Sequence, residues 1–223
     1  MRAVRERCVW SQRITHRDLV PYLIEESHEV IEAVESGTRD DLREELGDLL
    51  WQVLFHSAIA AQDPDDPFDI DDVAQTLTEK MVRRHPHVFA GEVATTPDEV
   101  LVHWNAAKAA EKRTRTSVLD GVPRGMPALA LAQKLVGRAA GVGVTTDASG
   151  PQPSSGPQPS SGPQPSSGPQ PSSGPQPSSE GELGDAMLAL VSLARERGWD
   201  AERALRERLR GLEDEVRAAE AEG

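Results

Sequence analysis

The chain has 223 residues and a formal net charge of −13 at pH 7, which argues against a nucleic-acid surface because phosphate-backbone binding requires excess Lys and Arg. Its single cysteine, Cys8, excludes an internal disulfide and a cysteine-based metal site, and no apolar run approaches the ~20 residues that span a bilayer. Because no apolar segment follows the charged N-terminus, we expect a soluble cytoplasmic protein that binds neither nucleic acid nor membrane.

Two long amphipathic helices are predicted first along the chain. Apolar residues recur at helical spacing over about 15–35, and Gly37 fits a helix stop. Thr38, followed three residues later by Asp41, resembles a capping box for a second helix over about 39–62. Because the connection is only a few residues long, we expect the two helices to pack as an antiparallel hairpin.

Two further helices are predicted after a turn rich in proline and aspartate at residues 63–67. The third covers about 70–84 and ends before Pro86, because the residue preceding a proline avoids the α region. The fourth follows the start signal at residues 96–99 and continues to about residue 113. No stretch alternates polar and apolar residues with period two, so the sequence predicts an all-α domain over roughly residues 12–145.

The composition changes abruptly towards the C-terminus. Residues 151–179 carry five copies of a Pro-Gln-Pro-Ser-Ser-Gly hexapeptide, which has no apolar side chains with which to bury a core. We therefore predict a first, helical domain over residues 1–148, a disordered linker over 149–179 and a short helical pair over 180–223. The helical pair is too small to form an independent core, so it must dock elsewhere, pair with a copy or stay loose.

Acidic side chains are concentrated on the first two predicted helices. Glu26 and Glu29 form an i,i+3 pair, as do Glu45 and Asp48, and Glu25 adjoins the first pair. Such pairs lie on one face of a helix, so two packed helices would direct four carboxylates to one point, where like charges repel unless a cation lies between them. The simplest cation for four oxygen ligands is Mg²⁺, which would serve phosphate chemistry.

Two other interpretations of the acidic residues stay open. The first is a solvated charged face, which is the usual role of charged runs on helices. Against it, no Lys or Arg lies four residues from Glu25, Glu26 or Glu29 to offset their charge. The second is a di-iron bundle, which uses Glu-x-x-His on two helices. Glu25 and His28 match one such motif, but the chain has no second one.

Basic side chains occur on the third and fourth predicted helices. Lys80 and Arg84 are an i,i+4 pair, and Lys108 follows Trp104 by four residues. In an acidic protein these cations are natural clamps for a polyphosphate, with Trp104 available to stack on a base or sugar. The alternative, surface cations whose stems cover a core tryptophan, fits the spacing equally well.

The sequence resembles the MazG family of nucleoside triphosphate pyrophosphohydrolases. Residues 25–29 (EESHE) and 45–50 (ELGDLL) are similar to that family's EExxE and ExxD signature. Further stretches typical of the family follow in order, namely 79–89 (EKMVRRHPHVF), Trp104-x-x-x-Lys108, 117–123 (SVLDGVP), 127–129 (PAL) and Gln133-Lys134.

The resemblance implies an all-α, four-helix-type bundle that is completed by dimerisation or by a larger homo-oligomer. It also implies Mg²⁺-dependent cleavage, with Mn²⁺ as an alternative ion, of nucleoside triphosphates to monophosphate and pyrophosphate, as in clearing non-standard nucleotides. Its metal ligands would be Glu26, Glu29, Glu45 and Asp48, and Glu25 would assist as a neighbouring group or water activator. Its substrate-binding residues would be Lys80, Arg84, Trp104 and Lys108.

Two stretches depart from the family pattern. Family members typically read Cys-Pro-Trp-Asp near the start, where this chain has Cys8-Val9-Trp10-Ser11. Residues 182–185 (ELGD) resemble the ExxD helix of a second copy, but its EExxE helix is absent, so we predict that the C-terminal copy is vestigial. These departures motivate a rival interpretation, a catalytically silent nucleotide-binding or regulatory homologue, and a third is a specialist such as an all-α dUTP-type pyrophosphatase.

Overall fold

The computed structural model describes residues 1–111, 115–144 and 177–221, which contain helices and no strands. The prediction of an all-α fold is confirmed. Three helices that the sequence did not predict are also present, at Arg2–Arg7, Pro86–Phe89 and Ala128–Ala140. The helices are α1 (Arg2–Arg7), α2 (Val20–Glu35), α3 (Arg39–Ala60), α4 (Ile70–Arg84), α5 (Pro86–Phe89), α6 (Pro97–Glu111), α7 (Ala128–Ala140), α8 (Glu180–Glu196) and α9 (Ala201–Ala221).

Helix α2 begins five residues later than the apolar pattern indicated. Pro21 lies in its first turn, and a proline cannot continue a helix towards the N-terminus because its ring clashes with the carbonyl four residues before it. The preceding segment folds instead as a turn in which the backbone N–H and hydroxyl of Thr15 donate to the carboxylate of Asp18, at 3.0 and 2.7 Å.

Helices α2 and α3 form the expected hairpin, which fixes the position of the acidic residues. The predicted capping box is present, since the Asp41 backbone N–H donates to Thr38 Oγ1 at 3.2 Å and the Thr38 backbone N–H donates to Asp41 Oδ2 at 2.7 Å. The turn is tight at Gly37, where a Cβ would lie 2.7 Å from Ala33 Cα. A side chain at that position would therefore clash with the backbone at the end of α2.

Residues Met1–Arg113 form the first of two compact units. Its core is small: Leu19 and Phe55 are each 1% exposed, and α1 is fastened to it by the buried Arg5. The Arg5 guanidinium donates to Gln62 Oε1 at 2.9 Å and to the Ile14 carbonyl at 3.1 Å. Many large apolar side chains of this unit stay exposed, which leaves apolar faces on α2 and α3 without a partner.

The second unit, Thr114–Gly223, contains α7, α8 and α9. The two predicted C-terminal helices are confirmed as α8 and α9, and both pack against α7, with Val136 and Val191 buried. Gln133 of α7 ties the α8–α9 turn, because its amide donates to the Trp199 carbonyl at 2.8 Å and accepts from the Ala201 backbone N–H at 3.0 Å. The C-terminal pair therefore docks on a helix that precedes the repeat.

The contacts between Cα atoms divide the chain between Arg113 and Thr114. The domain boundaries expected from the sequence lie elsewhere, at residues 148 and 180, and they stay predictions. The predicted linker over 149–179 lies outside the described residues, except for 177–179. Within the part of the chain that the structure describes, no helix is both long and apolar enough to cross a membrane.

Candidate active site

The carboxylates of Glu26, Glu29 and Glu45 meet across the α2–α3 hairpin. One oxygen from each lies within 4.8 Å of the other two, and Glu26 and Glu45 are partly buried whereas Glu29 is exposed. The helical i,i+3 spacing puts Glu26 and Glu29 on one face of α2, and the hairpin turns that face towards Glu45. We name this group the carboxylate cluster.

The members of the carboxylate cluster repel one another and Asp48. Partial burial, then the charges of Asp48 and Glu29, raise the pKa of Glu26 above its ordinary value. Partial burial, then the charges of Glu29 and Asp48, likewise raise the pKa of Glu45. Asp48 is therefore near the cluster, although its oxygens are not among those within 4.8 Å. Glu25 is exposed and lies outside the group.

The carboxylate cluster has the chemistry of a divalent-cation site. All of its donors are hard oxygens, which Mg²⁺ prefers, and two oxygens on opposite sides of Mg²⁺ are roughly 4.2 Å apart, close to the 4.8 Å limit of the cluster. Among the described residues, no Lys or Arg forms an ion pair with Glu26, Glu29 or Glu45. A cation would remove the repulsion that, after partial burial, raises the pKa values of Glu26 and Glu45.

Gln52 is a neighbour of the cluster that the sequence analysis did not single out. It is 4% exposed, and its Nε2 donates to Glu26 Oε1 at 3.4 Å, which lowers the pKa of Glu26 in part. Its own Oε1 is buried and has no hydrogen-bond partner. The signal available in the sequence was its spacing, since Gln52 follows Asp48 by four residues and so lies on the same face of α3.

Arg84 and Trp104, two of the residues predicted to bind substrate, are in contact with each other. The Arg84 guanidinium lies over the Trp104 ring, 4.9 Å from the ring centroid, and pairs with the carboxylate of Glu111. Arg83 pairs with the same carboxylate at 2.9 Å. Hydrogen bonding from Arg84, with a smaller contribution from Arg83, lowers the pKa of Glu111 to about 2. The sequence analysis missed Glu111 because no spacing rule links it to Arg84.

Lys80 and Lys108 are half-buried on the same two helices, α4 and α6, which pack together. No described residue forms an ion pair or hydrogen bond with the ammonium group of either lysine, so both are available to an anion. No hydrogen bond or ion pair among the described residues joins these cations to the carboxylate cluster. The structure thus assembles two groups, one acidic and one basic, without a direct polar link.

The segment that departs from the family pattern packs against α2 and α3. Trp10 meets the Tyr22 ring edge-on at 6.1 Å between centroids and lies 6.0 Å from the Phe55 ring, while Ser11 is 2% exposed. Further along, His16 stacks on His56 with their Nδ1 atoms 2.7 Å apart, so one Nδ1–H donates to the other nitrogen. Of the two altered residues, Ser11 is thus buried, whereas Val9 is 67% exposed.

The ELGD segment of the C-terminal helices forms a helix start. Glu182 lies in the first turn of α8, and its carboxylate accepts hydrogen bonds from the backbone N–H and hydroxyl of Ser178, at 2.6 and 2.7 Å. These bonds lower the pKa of Glu182. No metal-type cluster of carboxylates forms around Glu182 and Asp185 among the residues described, so the two side chains do not reproduce the arrangement on α2 and α3.

Comparison with known proteins identifies the family of this chain. The sequence profile of the MazG nucleotide pyrophosphohydrolase domain matches residues 14–89, which contain the whole carboxylate cluster. The chain is 36% identical over 215 residues to a nucleoside triphosphate pyrophosphohydrolase of Escherichia coli K12, covering 96% of this chain and 80% of that protein. The chain therefore belongs to the MazG family.

Two further matches show how much of each relative the chain covers. It is 53% identical over 135 residues to a nucleoside triphosphate pyrophosphohydrolase of Mycobacterium tuberculosis, covering 60% of this chain and 41% of that protein. A crystal structure of a mazG-related protein from Thermotoga maritima matches with a TM-score of 0.42 and 28% identity, over 48% of this chain and 90% of that one. Three relatives that are 49–56% identical are covered over only 41–60% of their lengths.

Proposed function

We propose that this protein hydrolyses nucleoside triphosphates to nucleoside monophosphate and pyrophosphate in a Mg²⁺-dependent reaction, with Mn²⁺ as an alternative ion. The observation that carries the proposal is the carboxylate cluster, with three acidic oxygens within 4.8 Å of one another in a chain of the MazG family. The names of its relatives support the same reaction. The proposed role is the removal of unwanted or non-standard nucleoside triphosphates in the cytoplasm.

In the proposed site, Glu26, Glu29, Glu45 and Asp48 hold the metal ion. When bound, Mg²⁺ neutralises charge on the phosphate oxygens and lowers the pKa of a coordinated water. Glu25 is exposed beside Glu26 and would accept a proton from the attacking water. Gln52 keeps Glu26 oriented towards the cluster through its amide. The chain's own work is therefore to position charges, with little covalent chemistry.

The basic group on α4 and α6 supplies the proposed phosphate contacts. Lys80 and Lys108 are available as point charges, whereas Arg84 is already held between Trp104 and Glu111. Arg84 would keep its contact with Trp104 while turning one edge of its guanidinium to a phosphate. Trp104 would then border the nucleoside with the part of its ring that Arg84 leaves uncovered.

A panel of nucleoside triphosphates tests the proposed reaction. We expect release of pyrophosphate from at least one of them in the presence of Mg²⁺, and none after chelation with EDTA, because the carboxylates alone cannot neutralise the leaving group. Pyrophosphate and nucleoside monophosphate should appear in equal amounts, as quantified by coupled assay and chromatography. Nucleoside diphosphate, which a contaminating adenylate kinase would form, is measured in the same assay as the contamination control.

The panel also separates the rival functions. Tight nucleotide binding without turnover, at enzyme concentrations comparable to substrate, would contradict hydrolysis and support the catalytically silent homologue. Turnover confined to one deoxynucleotide such as dUTP would support the specialist pyrophosphatase. The altered Cys8–Ser11 segment motivates the silent alternative, although Ser11 is buried and Trp10 contacts the rings of Tyr22 and Phe55.

The proposed functional unit is a homodimer or a larger homo-oligomer. Its support is the apolar surface that one chain leaves exposed on the hairpin: Ile24 and Val34 of α2 are 54% and 66% exposed, and Leu46 and Leu50 of α3 are 50% and 55% exposed. Exposed apolar patches of this kind on a soluble domain mark interaction surfaces. A second copy of the hairpin would bury them.

Replacing Leu50 with aspartate should therefore dissociate the proposed oligomer, because a carboxylate would have to be buried at the interface. Sedimentation velocity measures this in a full chain that also carries Leu209→Glu and Leu212→Glu, which prevents association through α9, with Asp48→Asn as a control that changes charge nearby without adding one to the apolar face. A wild-type chain that sediments as a monomer at every concentration would contradict the proposed assembly.

A further inference from the structure

Helix α9 carries an exposed apolar stripe that its own compact unit does not cover. Leu205, Leu209, Leu212 and Val216 are 48%, 48%, 45% and 50% exposed, and α9 has no buried residue. Their spacings of four, three and four residues are those of the a and d positions of a coiled coil. We name these four residues the α9 stripe.

The α9 stripe is not the face by which α9 is attached to its unit. Five residues of α9 are partly covered: Ala201 at the attached end, Gly211, and the side chains of Glu202, Arg206 and Arg210. These three side chains recur every four positions, on average about a quarter turn away from the stripe at 100° per residue. The attachment is made at the N-terminal end, where Glu202 accepts a hydrogen bond from the Ala130 backbone N–H at 3.3 Å. The stripe is therefore left open along the rest of the helix.

Charge along α9 is segregated in a way that selects a partner. Residues 203–210 contain four arginines and one glutamate, whereas residues 213–220 contain four acidic residues and one arginine. A parallel pair of such helices would set like-charged halves side by side, and an antiparallel pair would set opposite charges side by side. Opposite charges beside the apolar seam decide the orientation of a coiled coil.

We infer that α9 pairs with α9 of a second copy of this chain, in antiparallel orientation, through the α9 stripe. A two-fold axis near residues 210 and 211 aligns Leu205 with the partner's Val216, and Leu209 with the partner's Leu212, so that the stripe closes on itself in complete layers. Arg208 then flanks the partner's Glu215. This surface lies in the second compact unit and does not depend on the proposed catalytic function.

The intrachain bond of Arg208 does not oppose this pairing. In a single chain Arg208 reaches Glu215 of its own helix at 3.4 Å, with the two side chains 60% and 64% exposed. An ion pair that is so exposed contributes little to stability. Arg208 can therefore leave Glu215 of its own helix and pair with Glu215 of the second copy. Burial of the apolar stripe supplies the driving force.

Disulfide trapping tests both the pairing and its direction in the full chain. In a Cys8→Ser background, which removes the one native thiol, a chain with Leu205→Cys is mixed with a chain of different tag length carrying Val216→Cys and is oxidised mildly. The antiparallel arrangement predicts that the mixed disulfide exceeds both homodisulfides, because only residues 205 and 216 face each other. Dominant homodisulfides, or no cross-link between chains, would overturn the inference.

Charge exchange supplies the matched control. Adding Arg208→Glu to the Leu205→Cys chain should lower the yield of mixed disulfide about fivefold, since one attractive pair becomes repulsive. Adding Glu215→Arg to the Val216→Cys chain should then restore it. In that mixture each chain has two like charges at positions 208 and 215, so neither chain can form its own ion pair. A recovered yield of mixed disulfide can therefore arise only from charges on opposite chains. A yield that stays low would contradict the antiparallel register.

Leu209→Glu with Leu212→Glu should abolish the cross-link, because two carboxylates would be buried in the seam. Both positions are half-exposed in the single chain, so the fold should survive, which circular dichroism verifies. Ala218→Glu, on another face of α9, is the charge-matched control and should leave the yield unchanged. If the stripe instead docks on the α2–α3 face of its own chain, no variant will form the mixed disulfide.

Discussion

Replacing Glu29 with glutamine is expected to lower the rate of pyrophosphate release at least about 100-fold, since changes to groups that merely support a metal ligand already cost 10- to 100-fold. Glu29 contributes one of the three oxygens that lie within 4.8 Å of one another. Its side chain is exposed, so the substitution removes a donor without creating a cavity. The measurement is steady-state turnover of the best substrate of the panel, over a range of Mg²⁺ concentrations.

Glu32→Gln is the matched control for this experiment. Glu32 lies one helical turn further along α2, is also exposed and is not a member of the carboxylate cluster. It should retain nearly full activity, and both variants should keep the helical circular dichroism of the wild type. A Glu29→Gln protein with at least half of the wild-type rate at saturating Mg²⁺ would refute the assignment of Glu29 as a ligand.

Replacing Glu26 with glutamine should stabilise the metal-free protein and destabilise it relative to wild type once Mg²⁺ is added. The raised pKa of Glu26 means that its ionised form is less favourable in the folded state than in the unfolded state. The contribution of Glu26 to the stability of the folded state is therefore greatest below the ordinary glutamate pKa of about 4.3 and is lost as pH rises through its folded-state pKa. At pH 7.5 the variant escapes that loss, so its melting temperature should be a few degrees higher.

Mg²⁺ should reverse this order. A ligand that binds only the folded state at 100 times its Kd adds about 2.7 kcal/mol, and the wild type should gain this whereas Glu26→Gln should gain much less. Differential scanning fluorimetry at pH 4 and 7.5, with EDTA or with Mg²⁺, gives all four values. Equal Mg²⁺-induced shifts in the two proteins would be incompatible with Glu26 as a ligand, and a lower melting temperature of the metal-free variant would mean that Glu26 is not held under repulsion.

Local rules were enough to predict most helices. The capping box at Thr38 and Asp41 was found as expected, because it depends only on residues three apart. The start of α2 was predicted too early because it was taken from the apolar pattern alone. The steric rule for proline would have placed Pro21 in the first turn of the helix. Helices α1 and α5 were missed because segments of six and four residues are too short to show a periodic pattern. Helix α7 was also missed, although its 13 residues are enough for apolar side chains to recur at helical spacing.

The amino-acid sequence by itself determined the all-helical class, the short hairpin and the two acidic pairs, since each depends on spacing within one helix or one turn. Only the tertiary structure decided which side chains meet: Glu26 and Glu29 with Glu45, Gln52 with Glu26, and Arg84 with Trp104 and Glu111. It also decided that the C-terminal helices pack on α7. The physical reason is that helical periodicity sets the face on which a residue lies, whereas the relative rotation of two helices depends on how all of their side chains pack together.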